Sequence, residues 1–192
     1  MIRIALGICL ALGVAGPASA QTLQLMKGID APHYDAQRTT WGPTSDIVNM
    51  FQDTLVALDW DGRTPVPYLA KSWTISEDGR TYTFKLRDDV SFCSGKKFTA
   101  DDVVYSFKRL KDPDTKAPYH WRAGEIKELR APDPYTVEYE LNEPYSELLL
   151  QLTMFTNVIH NKESVEALGK DYGIKGADGT GPWCFESWQP RT

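Results

Sequence analysis

The stretch Trp73-Thr74-Ile75-Ser76-Glu77-Asp78-Gly79-Arg80-Thr81-Tyr82-Thr83-Phe84-Lys85-Leu86-Arg87 decides how the rest of the chain is read. Tyr82, Phe84 and Leu86 alternate with Thr81, Thr83, Lys85 and Arg87, the period of two that sets apolar side chains on one face of a strand. Glu77-Asp78-Gly79-Arg80 has turn composition, so the block predicts a β-hairpin whose first strand carries Trp73 and Ile75. One face of that hairpin must be covered. Shortly after it the period changes: Val103, Val104, Phe107 and Leu110 fall at helical spacing and form one apolar stripe. Thr99 and Asp102 have the spacing of a capping box, Lys108, Arg109 and Lys111 suit the negative end of the helix dipole, and Asp112-Pro113 stops the helix.

Working outward, residues 21–29 read as a strand-like stretch and 30–43 as a polar loop. Ser45 is expected to cap a helix with a buried face of Ile47, Val48, Phe51, Leu55 and Leu58, ended by a turn at Asp59-Trp60-Asp61-Gly62. Pro65 and Pro67 mark an extended segment. Beyond the second helix, Tyr119, His120, Trp121 and Arg122 form an aromatic and basic group too dense for an ordinary connector. A second hairpin is expected from Ile126–Leu129 and Tyr135–Leu141 around Pro132-Asp133-Pro134. Short helices over 146–152 and 162–168 flank a strand over 155–159, and a glycine-rich loop over 173–181 leads to a last strand, 183–188. The mixture of hairpins and amphipathic helices is α/β, without internal repeats.

The first residues have a different character. Arg3 precedes an uncharged apolar run, Ile4 to Ala15, and then Ala18-Ser19-Ala20, the layout of a secretory signal peptide cleaved after Ala20. The run is shorter than the roughly 20 residues a membrane span needs, and Gly16-Pro17 breaks it. Ile8 before Cys9 is not the small residue that a lipoprotein site wants. The chain of 192 residues has a net charge of −5, one unit more negative without Arg3, and no Lys/Arg cluster, which argues against nucleic acid or an anionic membrane as partner. Its 42% hydrophobic content suffices for the core of one domain over 21–192.

Cleavage would leave two cysteines, Cys93 and Cys184. In an oxidising compartment an even pair suggests one disulfide, contributing roughly 4–5 kcal/mol in the chain-entropy picture, and two buried free thiols are the alternative. No catalytic or metal-binding set is apparent. His33, His120 and His160 are far apart, and no two share a helix face. Asp101 and Asp102 suit a helix N-terminus. The loop Gly176-Ala177-Asp178-Gly179-Thr180-Gly181 lacks the lysine of a phosphate cradle, and Pro182 removes a donor where such a helix would begin. It reads as a tight turn.

The opening block, followed by Val90-Ser91-Phe92 and by Ser94-Gly95-Lys96-Lys97-Phe98-Thr99-Ala100-Asp101-Asp102-Val103-Val104-Tyr105-Ser106-Phe107, closely resembles the family 5 extracellular solute-binding proteins. Asp133-Pro134-Tyr135-Thr136-Val137 and Gly179-Thr180-Gly181-Pro182-Trp183 continue the likeness in order, with Trp183 where the family usually has Tyr. The resemblance implies a periplasmic-binding-protein-like type II fold, two α/β lobes around a hinge. Residues 21–192 would be the N-terminal part of lobe I, with the second lobe missing. It further implies a non-enzymatic substrate-binding component of an ABC importer, which captures peptides or similar-sized solutes in the periplasm and delivers them to permease subunits, as a monomer and without cofactor or metal. A secreted hydrolase or a chaperone-like periplasmic module are the competing functions. A cleft that engulfs its ligand needs both walls, so this stretch alone is expected to bind no solute measurably.

The same resemblance places Thr40, Trp41 and Ser45 on the cleft, together with the segment from Tyr119 through Trp121 to Arg122. Trp121 matches a cleft tryptophan of the nickel-binding members, and Arg122 could hold a carboxylate bidentately. Packing into the domain core is the alternative role for Trp121. Asn157 stands where the nickel-binding members have an arginine, which speaks against that subclass.

Overall fold

The computed structural model describes residues 30–40 and 42–189. The leader, the strand expected over 21–29 and Trp41 lie outside the described residues. Four helices are named here: α1 (Gly42–Phe51), α2 (Ala100–Lys111), α3 (Leu148–Leu152) and α4 (Lys162–Leu168). The strands are β1 (Val56–Leu58), β2 (Pro65–Pro67), β3 (Ala70–Ile75), β4 (Thr81–Leu86), β5 (Ile126–Asp133) and β6 (Thr136–Leu141). β1 and β2 form a two-stranded ribbon, and the other four make an antiparallel sheet in the order β3-β4-β6-β5.

The β3–β4 hairpin forms as its alternation predicts, with Trp73 opposite Phe84 and Ile75 opposite Tyr82. Gly79 adopts φ +69°, a left-handed conformation that favours glycine, while the Asp78 carboxylate accepts from Ser76 Oγ and the Arg80 N–H to close the turn. Tyr82, Phe84 and Leu86 of β4 and Val137, Tyr139 and Leu141 of β6 all point into the main core. Each such side chain contributes roughly 1.5–3 kcal/mol by leaving water. α2 covers this face, with Phe107 edge-on to Tyr139 and Val103 buried. Its capping box is in place: the Thr99 N–H donates to the Asp102 carboxylate at 3.0 Å. The other face of the sheet bears an exposed charge ladder in which Arg130 meets Glu128, Glu138 and Glu140.

Four expectations need correction. α1 begins at Gly42, not after Ser45, because Pro43 with its fixed φ sits in the first turn; Ser45 Oγ instead donates back to the Gly42 carbonyl at 2.7 Å. α1 ends at Phe51 because the glycine-rich loop docks on it: the N–H groups of Gly181 and Trp183 donate to the carbonyls of Phe51 and Met50. Leu55 is buried but lies beyond the helix, and Leu58 belongs to β1, so Asp59-Trp60-Asp61-Gly62 turns a hairpin rather than ending a helix. Residues 155–159 are a 3-10 turn, Phe155–Asn157, and then extended chain, and 183–188 form no strand. Their backbone groups are used elsewhere: Ile159 donates to Asp53, and the loop ahead of 183–188 is bound to the end of α1.

Close approach explains the glycines of that loop. A Cβ on Gly179 would lie 1.7 Å from the Phe51 carbonyl oxygen. Asp178 anchors the loop by accepting from Ser94 N–H, Ser94 Oγ and Asn161 Nδ2, and Cys93 is bonded to Cys184 just beyond it.

The N-terminal segment is joined to α2 by a buried ion pair. Arg109 donates to both oxygens of Asp35, at 3.1 and 2.5 Å, and to Gln37 Oε1 at 2.7 Å; Asp35 has no exposed surface. Gln37 in turn donates to the Ser106 carbonyl, and Ser106 Oγ accepts from the His160 N–H. The His160 ring lies within 3.2 Å of Gln52 Nε2 and 3.0 Å of the Tyr172 hydroxyl. Removing one partner of a buried pair strands the other charge, so Arg109→Ala should cost about 3–5 kcal/mol in urea unfolding. A loss below about 1 kcal/mol would mean that Asp35 finds water there.

Burial, reinforced by Arg109, holds the His160 ring neutral and pushes its pKa down to about 3. The unfolded ring titrates near pH 6.5, so below that pH protons favour the unfolded chain. The stability due to the neutral ring is complete above pH 6.5 and falls as pH drops, by about 2 kcal/mol at pH 5. His33, half-buried and also lowered, adds a smaller loss of the same sign. Urea unfolding of His160→Gln at the two pH values should show most of this slope removed.

Candidate functional site

The aromatic segment after α2 is held from below. Asp112 caps the turn Pro113–Thr115 by accepting from the Asp114 N–H, and Lys116 takes a left-handed φ of 54°. Leu110, Ala117 and Ala123 then close into a small cluster of their own against Phe107. With Ala123 pointing inward, the 3-10 turn His120–Ala123 presents Trp121 outward, 62% exposed. Among the described residues Trp121 belongs to none of the buried clusters.

Arg122 stacks beside it. Its guanidinium carbon lies 4.7 Å from the Tyr119 ring centroid and 5.2 Å from that of Trp121, a cation–π sandwich that fixes the planar group without a carboxylate. One of its N–H groups is aimed at the Met154 sulfur, and the Arg122 carbonyl accepts from the Gln151 side chain. Asn157 Nδ2 donates to the Gln151 carbonyl at 2.8 Å. Gln151 therefore links Asn157 to the aromatic segment.

These side chains border an open pocket of about 310 Å³ lined by Trp121, Arg122, Tyr145, Glu147, Leu150, Gln151 and Met154. Its size is at the lower end of small-molecule sites. Tyr145 is pushed above the usual phenol range by burial and by the Glu147 carboxylate, with Arg122 acting in the opposite direction. Among the described residues neither Arg122 nor Glu147 is in an ion pair.

Of the expected site residues, Trp121 and Arg122 line this pocket, Tyr119 stacks behind them, and Asn157 is tied in through Gln151. Thr40 is exposed just before α1, and Ser45 is half-buried in its first turn; neither lines the pocket. α1 and the turn Ala36–Arg38 both pack on the turn Phe155–Asn157, which follows the pocket residue Met154 in the chain. Trp41 lies outside the described residues. Sequence reading passed over Tyr145, Glu147, Leu150, Gln151 and Met154. Glu147, Gln151 and Met154 recur at four and three residues, the spacing of one helical face, and that was the signal available.

A second, larger groove of about 580 Å³ runs between the start of α2 and α4, where Lys96 bridges Asp102 and Glu163. None of the expected site residues lines it. Among the described residues no three His, Cys, Asp or Glu side chains are grouped so as to hold a metal ion, and no helix is long and apolar enough to cross a membrane.

Comparison with known proteins places this geometry. The dipeptide-binding protein of Escherichia coli K12 is 31% identical over 98% of this chain and 39% of its own length. Among solved structures, the substrate-binding domain of an oligopeptide ABC transporter from Bacillus anthracis superposes with a TM-score of 0.78 at 31% identity, covering 82% of this chain and 34% of that one. Listeria monocytogenes OppA bound to peptide gives the same TM-score at 29% identity, over 82% and 34%. The chain thus spans well under half the length of these relatives, and its mixed α/β fold is part of their larger fold. The family model for bacterial extracellular solute-binding proteins, family 5 middle, matches residues 64–192, and the chain belongs to that family.

Proposed function

We propose that this chain forms part of one wall of the solute cleft in the substrate-binding component of an ABC importer, which takes peptides or solutes of similar size and passes them to permease subunits. The observation that carries the reading is the pocket at Trp121 and Arg122: an exposed ring and a guanidinium that meets no carboxylate among the described residues, on a backbone that superposes on peptide-handling relatives. The ring offers a face for apolar or planar groups, and the guanidinium offers paired N–H donors to a carboxylate. Thr40, Trp41, Ser45, Tyr119 and Asn157 complete the proposed ligand-facing set. The leader composition supports export to the periplasm with cleavage after Ala20, and the family match supports residues 21–192 as the N-terminal part of lobe I. Extended peptides are bound largely through their main chain, which suits a pocket this open.

Native mass spectrometry of the full-length gene product from its own periplasm should show a retained small solute. Solute-free protein with hydrolytic activity would overturn the receptor reading. Trp121→Ala should remove the retained mass while changing unfolding stability by less than about 0.5 kcal/mol, since the ring is mostly in water. A large stability loss would assign Trp121 to packing instead.

A further inference from the structure

We infer that Glu147 is a specificity-determining residue, which makes the Trp121 pocket select solutes carrying a cationic group, an ammonium or guanidinium, together with a carboxylate. The inference deepens the solute-cleft reading and rests on it. Arg122 and Glu147 line the same pocket of about 310 Å³ but form no ion pair, so each charge is left for something else. The partners that the structure does supply are weak ones. Arg122 has two aromatic faces and a thioether sulfur, and Glu147 acts on the Tyr145 hydroxyl but is in no ion pair among the described residues.

A hydrogen-bonded helix cap is not the role of the Glu147 carboxylate. It stands at the N-cap of α3, yet its side chain makes no capping hydrogen bond; the helix uses its backbone carbonyl, which accepts from Gln151 N–H at 2.9 Å. Two opposite charges across an open pocket with an indole on one wall are complementary to a dipolar solute. They disfavour a neutral or purely anionic one, which would leave Glu147 unpaired or repelled.

The cation could be a peptide's amino terminus or a basic side chain, and three dipeptides separate the two: lysyl-alanine, its Nα-acetyl form, and norleucyl-alanine. Affinities would be measured by calorimetry on the full-length protein freed of solute, wild type and Glu147→Gln. A charged hydrogen bond lost from one of these ligands should weaken wild-type binding about tenfold. Weakening on acetylation identifies the amino terminus, and weakening with norleucine identifies the side chain. In Glu147→Gln that same change should alter affinity less than about twofold. Equal discrimination by wild type and variant, or none by either, overturns the role of Glu147 while leaving the receptor reading intact. Failure of all three to bind the wild type also overturns the role of Glu147, while the receptor reading is decided separately by the solute retained in native mass spectrometry.

Discussion

The contact between Arg109 and Asp35 organises the rest of the molecule. A guanidinium with little exposure and a carboxylate with none cannot stay charged unless each satisfies the other. The pair sets the N-terminal segment against the C-terminal half of α2, and Gln37, Ser106, His160, Gln52 and Tyr172 extend it through a chain of hydrogen bonds. The network joins residues from five separate stretches of chain. Compared with apolar packing of the same volume it adds little net stability, but almost any displacement of its members leaves a buried polar group unpaired. It therefore favours one arrangement of α1, α2 and the 155–160 segment. The backbone is fitted to it as closely: Gly173, at φ +78°, accepts from the Tyr34 N–H, and a Cβ there would lie 2.3 Å from the Asp35 nitrogen.

A second constraint acts at the far end of α1. The helix would leave its last carbonyls open to solvent, and the Gly179–Gly181 backbone fills that position. The disulfide and the Asp178 carboxylate both fasten this loop to the turn around Ser94, ahead of α2. Phe185 and Trp188 then pack edge-on to Tyr34, so the segment after the loop completes a second core around α1. The C-terminal end of α1 is thus fixed by groups remote in sequence, on a loop that is itself tied to the turn ahead of α2.

That remoteness explains what sequence alone made legible. The β3–β4 hairpin and α2 are governed by neighbours within a few residues: alternation, an Asp-Gly turn, a capping box, a terminating proline. All of these were readable. The end of α1 was not, because Leu55 continues a helical spacing although its backbone has already turned; what stops the helix lies well over a hundred positions further on. Residues 183–188 carry Trp183, Phe185 and Trp188, residue types that suit a strand, but the adjoining backbone is committed to the α1 carbonyls. The ion pair from Asp35 to Arg109 leaves no local trace, since neither residue's surroundings announce a buried partner. At the candidate site the density of Tyr119, His120, Trp121 and Arg122 was visible as composition. The opposite wall was not, because Glu147 and Gln151 are unremarkable residues of a short helix until the fold sets them beside Trp121.

The pocket's chemistry follows from where its parts are rooted. Ala117 and Ala123 are buried beneath a turn that presents the Trp121 indole outward, and two aromatic rings flank the Arg122 guanidinium beside it. Stacking on two rings limits the rotamers of Arg122 while leaving most of its N–H donors unused, which lowers the ordering cost of pairing it with a carboxylate. A long flexible cation on the same surface would have to surrender that freedom on binding. Holding the donors still and leaving them unsatisfied are two properties that a structural arginine, such as Arg109, does not combine. Arg109 has its acceptors built in; Arg122 is positioned with equal care around an acceptor that the described residues do not provide.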